Sequence, residues 1–509
     1  MSRDKFVSAA DAVALIRDGD TVGLSGSGGG LLEAAALFGA VERRFLETGG
    51  PRDLTLLHAL GIGDRKTRGI NCFAHEGLVR RVIGGHWVWS PRMQELARAE
   101  KIEAYVLPGG CIMQLCREIA AGRPGLITHV GLGTFVDPRV EGGRMNKRAK
   151  ADLVELIAID GQEWLRYKTF PLNVALIRGS FADAHGNISL DREAANLEVY
   201  AMAAAAHNCG GKVIAQVRST VEVGVLPARA VQIPGAIVDA VVIEPGQEMA
   251  YGIAYDPTVS GEEHGPTPLE TPEPFTVRQV IARRAVQELA DGAVVNYGFG
   301  IPDAVAKLVA TRGEQGRYNQ TIEQGIYGGT LLTGVLFGMA RNPTAMIDAP
   351  SQFDFYAGGG LDIAFLGFGE LDAAGNVNVS KLGGLTVGPG GFVDIAQSAR
   401  KVVFCGTFDT KGTQLAIGDG RLGIERHGEV TKLVTAVEQI TFSGKIATRR
   451  GQEIVYVTER AVFRLTERGV ALIEVAPGID VRRDVLDRMA FAPLIPAEPA
   501  VMPAECFLA

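Results

Sequence analysis

Short, almost wholly apolar segments alternate along this chain with longer amphipathic segments. The longer segments, such as residues 31–47 and 195–207, repeat their apolar positions at helical spacing and predict helices. The short segments predict buried strands and are DTVGLSG (20–26), LTLLHAL (54–60), EAYVLPGG (103–110), NVALIRGS (173–180) and KVIAQVRS (212–219). Strands that alternate with helices in this way predict an α/β fold with a mostly parallel sheet.

Residues 256–275 interrupt this alternation. The segment, DPTVSGEEHGPTPLETPEPF, contains five prolines and five acidic residues and has no apolar periodicity, which predicts a linker. We therefore expect an N-terminal domain at residues 1–255 and a C-terminal domain at residues 276–509. Thr276 is the predicted N-cap of a helix over residues 277–290.

The second half repeats a pattern of the first. Residues 174–187 read VALIRGSFADAHGN and residues 363–376 read IAFLGFGELDAAGN, so that Asp-Ala-x-Gly-Asn follows an apolar run in both. At the same sequence offset, KVIAQVRS (212–219) corresponds to KVVFCGTF (401–408). One shared turn would mean little. A strand, a turn and a second strand in the same register predict two homologous open α/β domains, the first enlarged by insertions.

Composition and charge exclude several classes of protein. The 509 residues carry a net charge of −7, without the general excess of Lys and Arg that neutralises nucleic-acid phosphates. No segment reaches the roughly 20 apolar residues that span a bilayer, and the N-terminus lacks the apolar core of a signal peptide. The six cysteines show neither a Cys-x-x-Cys pair nor a matching set of histidines. We therefore expect a cytoplasmic protein without nucleic-acid, membrane or metal partners, whose cysteines are reduced, buried and non-catalytic.

The candidate chemistry begins where a predicted strand at 293–300 ends in Gly298-x-Gly300-Ile-Pro302. Pro302 suits the first turn of a helix, whose free amides would face the loop and could bind a phosphate or carboxylate. The motif is not Gly-x-Gly-x-x-Gly, because Asp303 occupies the third position after Gly300, so a dinucleotide site is unsupported. Without further support, a tight strand–helix turn that binds no ligand is the better explanation of this motif taken alone.

Glu323 lies in the next glycine-rich segment, TIEQGIYGGT (321–330). An isolated Glu in such a turn is usually exposed and inert. Here a short β-favouring segment precedes it, which predicts a position at the carboxyl end of a strand, where ligands of open α/β sheets bind. Gly325, Gly328 and Gly329 would let a ligand approach the main chain.

Two further glycine-rich turns follow within the same half. Adjacent amides at residues 358–360, in AGGGLDIAFLG, could form an oxyanion site. The segment KLGGLTVGPGGFVDIA (381–396) supplies another glycine-dense loop. Four such turns around one candidate carboxylate indicate a ligand site more strongly than any of them does alone.

These motifs together resemble the family I coenzyme A transferases. The matching patterns are Gly-x-Gly-Ile-Pro, Glu-x-Gly-x-x-Gly-Gly, Gly-Gly-x-Leu-Asp and Asp-x-x-Gly-Asn-Val-Asn-Val-Ser. The chain is similar to the single-chain propionate/acetate CoA-transferase group, in which α and β subunits are fused. Residues 130–143 and 231–243 resemble that group as well, so that the likeness covers nearly the whole chain. It implies two related α/β domains of the CoA-transferase (NagB/RpiA-like) fold.

The resemblance also implies roles for individual residues. Glu323 matches the catalytic glutamate, which forms a glutamyl-CoA thioester, and Gly359 matches a backbone oxyanion donor. Residues where the family binds CoA correspond to Gly298, Gly300, Ile301, Gly383 and Gly384. The implied substrates are an acyl-CoA and short-chain carboxylates such as acetate or propionate, with CoA as a substrate and no cofactor. A homo-oligomer, dimeric or tetrameric, is implied on the same ground.

One segment departs from the family pattern. The family usually carries Pro-Gln-Gly in its first domain, where the Gln side chain helps to hold the oxyanion. Here the segment reads Leu107-Pro108-Gly109-Gly110, so that Gly109 stands in place of the Gln. Gln114, a few residues further along, is a candidate substitute. The change bears on rate and acyl preference more than on reaction class.

Two other functions are compatible with the same residues. An acyl-CoA hydrolase could use Glu323 to activate water or relay to it, and release of free CoA with and without an acceptor acid would distinguish it from a transferase. A catalytically silent protein that binds acyl-CoA or a sugar phosphate would bind tightly without turnover.

Overall fold

The computed structural model describes residues 5–266 and 275–508, and their main elements are two separate sheets. The first sheet has nine strands: β1 (Thr21–Leu24), β2 (Leu54–His58), β3 (Val79–Gly84), β4 (Glu103–Val106), β5 (Val174–Asp183), β6 (Ile188–Ser189), β7 (Lys212–Val221), β8 (Val231–Ile233) and β9 (Ala240–Ile243). The second has ten: β10 (Val294–Tyr297), β11 (Asn319–Ile322), β12 (Ile326–Tyr327), β13 (Ala345–Met346), β14 (Ile363–Gly367), β15 (Lys401–Cys405), β16 (Glu453–Val457), β17 (Ala461–Thr466), β18 (Gly469–Val475) and β19 (Ala500–Val501).

The same four-stranded parallel core lies in both sheets. Its order is β7–β5–β1–β2 in the first and β15–β14–β10–β11 in the second. Val174 pairs with Lys212 across β5 and β7, and Ile363 pairs with Lys401 across β14 and β15. These pairs occupy the positions that the sequence repeat had aligned. The predicted α/β fold with mostly parallel sheets is therefore confirmed.

The described part of the chain also contains eleven α-helices and several short strands. The helices are α1 (Ala9–Val13), α2 (Ala35–Thr48), α3 (Pro91–Arg98), α4 (Gly109–Ala120), α5 (Val199–Asn208), α6 (Pro257–Ser260), α7 (Val277–Ala285), α8 (Asp303–Thr311), α9 (Ala349–Ala357), α10 (Phe392–Ser398) and α11 (Gly444–Arg449). The short strands are Gly125–Thr128, Val154–Ile159 and Gln162–Lys168 in one antiparallel sheet, and the ribbons Thr330–Leu331/Ala340–Arg341, Glu370–Leu371/Val377–Asn378, Lys381–Leu382/Leu385–Thr386, Asp409–Thr410/Val430–Thr431 and Gln414–Gly418/Arg421–Arg426. None of the described helices has both the length and the apolarity to cross a bilayer.

Two predicted helices begin later than their apolar pattern suggests. α2 and α5 start at Ala35 and Val199, because Leu32 (φ 52°) and Leu197 (φ 47°) have left-handed backbone that a right-handed helix cannot include. The predicted cap at Thr276 is confirmed, since its side chain and that of Gln279 form a reciprocal capping box.

The repeated Asp-Ala-x-Gly-Asn turn has one structure in both halves. Asp183 accepts a hydrogen bond from the Asn187 side chain at 2.9 Å, and Asn187 Oδ1 accepts one from the amide of Gly235 at 2.8 Å. In the second half Asp372 and Asn376 make the equivalent bonds, with the latter accepting from Gly444, at 3.0 Å each. The turn therefore joins each parallel core to the segment that packs beside it.

The predicted linker is partly structured. Residues 267–274 lie outside the described residues. Before them, Asp256 caps the single-turn helix α6 by accepting from the Thr258 amide at 2.9 Å, and it pairs with Arg341 of the second half at 3.2 Å. Within the predicted linker, residues 256–266 are thus held against the second half by these contacts. The domain boundaries stay a prediction.

The cysteines follow the prediction in part. Each of the six is free, and the buried ones are Cys111, Cys116, Cys405 and Cys506. Cys72 is half-buried and Cys209 is exposed, so the expectation that the cysteines are buried is wrong for these two.

Side chains and main chain join the two halves directly. Gln397 of α10 accepts a hydrogen bond from the Gly131 amide at 2.6 Å and donates to the carbonyl of Leu132 at 2.9 Å. All of these groups are buried. The glutamine therefore satisfies one donor and one acceptor of the opposite half.

Gln397→Ala is expected to lower the free energy of unfolding by about 2–4 kcal/mol, because it leaves a buried N–H and a buried C=O without partners. Urea denaturation followed by circular dichroism measures the change. Gln232→Ala is the control, since its exposed side chain bonds only a nearby carbonyl at 3.2 Å. Equal denaturation midpoints for the two variants would contradict the assigned bonds.

Candidate active site

A cavity of about 330 Å³ lies between the two halves and is lined by residues of both. Among the described residues that line it, Glu323 is the only carboxylate and Arg65 the only guanidinium. Its larger apolar side chains include Leu60, Trp89, Phe299, Phe337, Leu366 and Phe392. A mostly apolar cleft with a few polar groups is the usual form of a small-molecule site.

Glu323 lies at the carboxyl end of β11, as the sequence predicts. The strand ends at Ile322 and runs parallel to β10 in the centre of the sheet. β12 then returns antiparallel through Gly325, whose φ of 92° suits glycine and whose missing side chain leaves room for the carbonyl of Ile347. This reversal presents Glu323 at the edge of the sheet where open α/β folds bind ligands.

The main chain of Gly391 lies against the Glu323 carboxyl, so closely that a Cβ on Gly391 would collide with Oε2. The pKa of the Glu323 carboxyl is raised to about 7, chiefly because the carboxyl is removed from water and also because Asp394 is close, while the nearby Gly391 amide lowers it. The side chain is half-buried and stays open to the cavity. A carboxylate of this basicity is a better nucleophile than an ordinary one and is still substantially ionised near neutral pH.

The loop that carries Gly391 is held by the opposite half. Val387 accepts from the Trp87 amide at 2.7 Å, and Gly390 donates to Gly85 at 2.8 Å. Gly390 also accepts from the Gly109 amide at 2.7 Å. A Cβ on Gly109 would lie 2.9 Å from the carbonyl oxygen of Ala59 and 3.0 Å from Gly390 C. Gly109 therefore belongs to the site as a main-chain contact, and no side chain fits there without a shift of the loop.

Comparison with known proteins decides the family. The sequence model of one protein family, Coenzyme A transferase, matches residues 6–244 of this chain. The caffeate CoA-transferase of Acetobacterium woodii is 46% identical over 512 residues, which are 99% of this chain and 97% of that protein. The acetate CoA-transferase YdiF of Escherichia coli (strain K12) is 42% identical over 507 residues, 99% of this chain and 96% of that protein. The chain belongs to the coenzyme A transferase family.

Solved structures agree with this assignment. The crystal structure of the acyl-CoA transferase YdiF apoenzyme from Escherichia coli O157:H7 matches with a TM-score of 0.94 and 41% identity, over 99% of this chain and 96% of that one. A thioester complex of YdiF with CoA matches equally well, with a TM-score of 0.94. The predicted membership in family I is confirmed, and the protein is an enzyme of the CoA-transferase class.

In this CoA transferase Gly359 is not beside Glu323, so the prediction that it donates to the oxyanion is wrong. The amides of Gly358, Gly359 and Gly360 donate to carbonyls of α9 and close the end of that helix. These glycines also precede β14, so they lie at the amino-terminal edge of the sheet, while Glu323 lies at the carboxyl-terminal edge. The amide of Gly391 contacts Glu323 instead.

The suggestion that Gln114 replaces the family's glutamine is also wrong. Its Nε2 donates to Asp354 Oδ1 at 2.8 Å, which ties α4 to α9. The residue does not line the cavity. The amide side chain is thus used for packing between the two halves.

Of the five residues predicted to bind CoA, Gly298 alone lines the cavity. The amide of Gly300 is taken by Asp303 Oδ2 at 3.2 Å, and the Ile301 side chain packs against the core. The amides of Gly383 and Gly384 donate to the Glu438 carboxylate at 2.9 and 3.0 Å. A role of these residues in binding CoA stays a prediction.

Several cavity residues were not found from the sequence. Trp89 and His86 come from the first half, where nothing in the sequence singled them out. The pKa of His86 is lowered to about 4 because its ring is removed from water, so the imidazole is neutral. Gly391 and Asp394 lay within a glycine-dense segment that was noted, but no local signal related them to Glu323.

Proposed function

We propose that this CoA transferase passes CoA from a short-chain acyl-CoA to a carboxylic acid, such as acetate or propionate, through a glutamyl-CoA thioester on Glu323. The observation that carries the proposal is the Glu323 carboxylate, which is the only carboxylate among the described residues that line the apolar cavity between the halves. The acetate CoA-transferase among its relatives and the thioester complex of YdiF with CoA support it.

The proposed reaction conserves the thioester. The Glu323 carboxylate attacks the acyl carbon of acyl-CoA, and the C–S bond breaks to give a mixed anhydride and CoA thiolate. The thiolate then attacks the glutamyl carbon, which yields glutamyl-CoA and releases the first carboxylate. The acceptor acid reverses these two steps, so that the mechanism is ping-pong and requires no metal or redox cofactor.

The amide of Gly391 is the proposed oxyanion donor. It lies against the Glu323 carboxyl and lowers the pKa of that group, so that it is placed where negative charge would develop on the glutamyl oxygen. The apolar wall of the cavity keeps water from the anhydride and the thioester, which favours transfer over hydrolysis by the same residue.

Intact-mass analysis after incubation with acetyl-CoA, without an acceptor, is expected to reveal a CoA-sized adduct sensitive to hydroxylamine. Peptide mapping is expected to locate it at Glu323, and Glu323→Ala is expected to lack it. The control is Glu33→Gln. The Glu33 carboxyl also has its pKa raised to about 7 by burial, but it is bonded to Tyr251 and to the Gly63 amide.

Absence of the adduct in the wild-type protein, or its persistence in Glu323→Ala, would overturn the proposal. Rapid release of free CoA without an acceptor acid would instead favour hydrolysis.

A further inference from the structure

A second buried carboxyl, Asp394, lies beside the site. It is in the first turn of α10, which begins immediately after Gly391, and the residue is 3% exposed. Asp394 Oδ2 accepts from the amide of Gly110 at 3.2 Å, and the Cys111 thiol donates to Oδ1 at 3.4 Å. Asp394 therefore caps the amino end of α4, a helix of the opposite half.

One buried aromatic ring, that of Phe353, lies beside the two glycines that contact these carboxyls, Gly391 at Glu323 and Gly110 at Asp394. The ring of Phe353, which is 1% exposed, packs so closely that a Cβ on Gly391 would lie 2.9 Å from its Cζ. The same ring leaves no room for a Cβ on Gly110. Within residues 5–266 and 275–508, neither Glu323 nor Asp394 forms an ion pair with a cationic side chain.

The other titratable groups that face Asp394 are neutral donors. Burial holds the pKa of the Cys111 thiol well above its usual value, so it stays protonated. Burial does the same to the hydroxyl of Tyr167, which lies against Cys111 and donates to the carbonyl of Val130 at 2.8 Å. No charge within this group compensates the two carboxylates.

We propose that Asp394 is a positioning residue whose buried negative charge opposes the ionised form of Glu323 and thereby favours the neutral glutamyl-CoA thioester. The inference rests on the proposed function of Glu323. It assigns to Asp394 an electrostatic role in the equilibrium between free enzyme and covalent intermediate, in addition to its capping of α4.

The charge balance of the reaction gives the reason. Free enzyme with both groups ionised holds two negative charges close together at a mostly apolar site, where they repel each other. When Glu323 becomes a thioester, its charge leaves with the released carboxylate and Asp394 remains alone. Repulsion in the starting state therefore drives the covalent step forward.

The same coupling predicts a pH effect with a definite sign. The pKa of Asp394 is raised to about 7, chiefly by burial, as is that of Glu323, so the pair titrates together. Since a neighbouring negative charge raises the pKa of a carboxyl, removal of the Asp394 charge lowers that of Glu323. In the pH profile of kcat/KM, the acid limb, over which the nucleophile becomes ionised, then moves to lower pH.

Asp394→Asn is expected to move this acid limb down by about one pH unit. At a fixed ratio of acetyl-CoA to acetate, the ratio of glutamyl-CoA enzyme to free enzyme is expected to fall by about tenfold, the equivalent of that shift. Intact-mass analysis at several ratios measures this quantity. A purely structural role would lower activity or stability without a downward shift of the limb.

Cys111→Ser is the matched variant that keeps the charge. A hydroxyl is a stronger donor than a thiol, so it stabilises ionised Asp394 and is expected to move the limb upward. If Asp394→Asn does not fold, the shift of the acid limb in Cys111→Ser tests the inference by itself. An unchanged limb and an unchanged adduct ratio in the folded variants would overturn the inference, whereas absence of the adduct in the wild-type protein would overturn the proposed function itself.

Discussion

Glu323→Gln is expected to lower the rate of CoA transfer by roughly 10⁴-fold or more, because an amide cannot form the mixed anhydride. Glutamine has nearly the same shape and fits beside Gly391 as glutamate does, so the loss would report chemistry more than packing. The measurement is the steady-state rate of transfer from propionyl-CoA to acetate, with products separated by chromatography.

The kinetic pattern provides a further check on the same residue. Wild-type protein is expected to give parallel double-reciprocal plots when both substrates are varied, as a ping-pong mechanism requires. Glu33→Gln serves as the control, since that carboxyl is held by Tyr251 and two amides outside the proposed chemistry. Residual transfer in Glu323→Gln within tenfold of the wild-type rate would show that another group is the nucleophile.

Gly391→Ala is expected to lower transfer by about 10²–10³-fold, because the new Cβ would collide with Glu323 Oε2 and displace the carboxyl from its donor. Gly391 has φ −82°, which alanine adopts without strain, so backbone conformation does not explain the loss. Measured kcat and the rate of adduct formation with acetyl-CoA are both expected to fall.

Gly359→Ala is the matched control for this prediction. Gly359 has φ 88° and open space where a Cβ would lie, so alanine is expected to cost about 1 kcal/mol of stability while transfer stays near the wild-type rate. The opposite pattern, with a large loss for Gly359→Ala and none for Gly391→Ala, would return the oxyanion role to Gly359.

Features formed by residues close in sequence were predicted well. The capping box of Thr276 and Gln279 lies within one helical turn, and Asp372 and Asn376 close one tight turn. Such interactions leave a local signal that a single sequence carries. The starts of α2 and α5 were missed because left-handed residues, Leu32 being one, are buried leucines whose backbone is set by packing.

In the candidate site too, features set by neighbouring residues were predicted and those set by the fold were not. Glu323 at the end of β11 followed from a β-favouring segment and the glycines after it, which are neighbours in the chain. Three adjacent glycines at 358–360 looked equally suited to bind an oxyanion, but in the fold their amides close α9. A glycine-rich segment therefore indicates a turn without showing whether its amides are free.

The individual strands, their repetition in the two halves and the carboxylate that the proposed reaction requires could thus be predicted from the sequence. The amide that faces that carboxylate could not be predicted, because the Gly391 loop is held by Gly85, Trp87 and Gly109 of the other half. The contact of Asp394 with α4 likewise joins segments far apart in sequence. Pairings of this kind have no period or spacing in the sequence, so they appear once the two halves pack together.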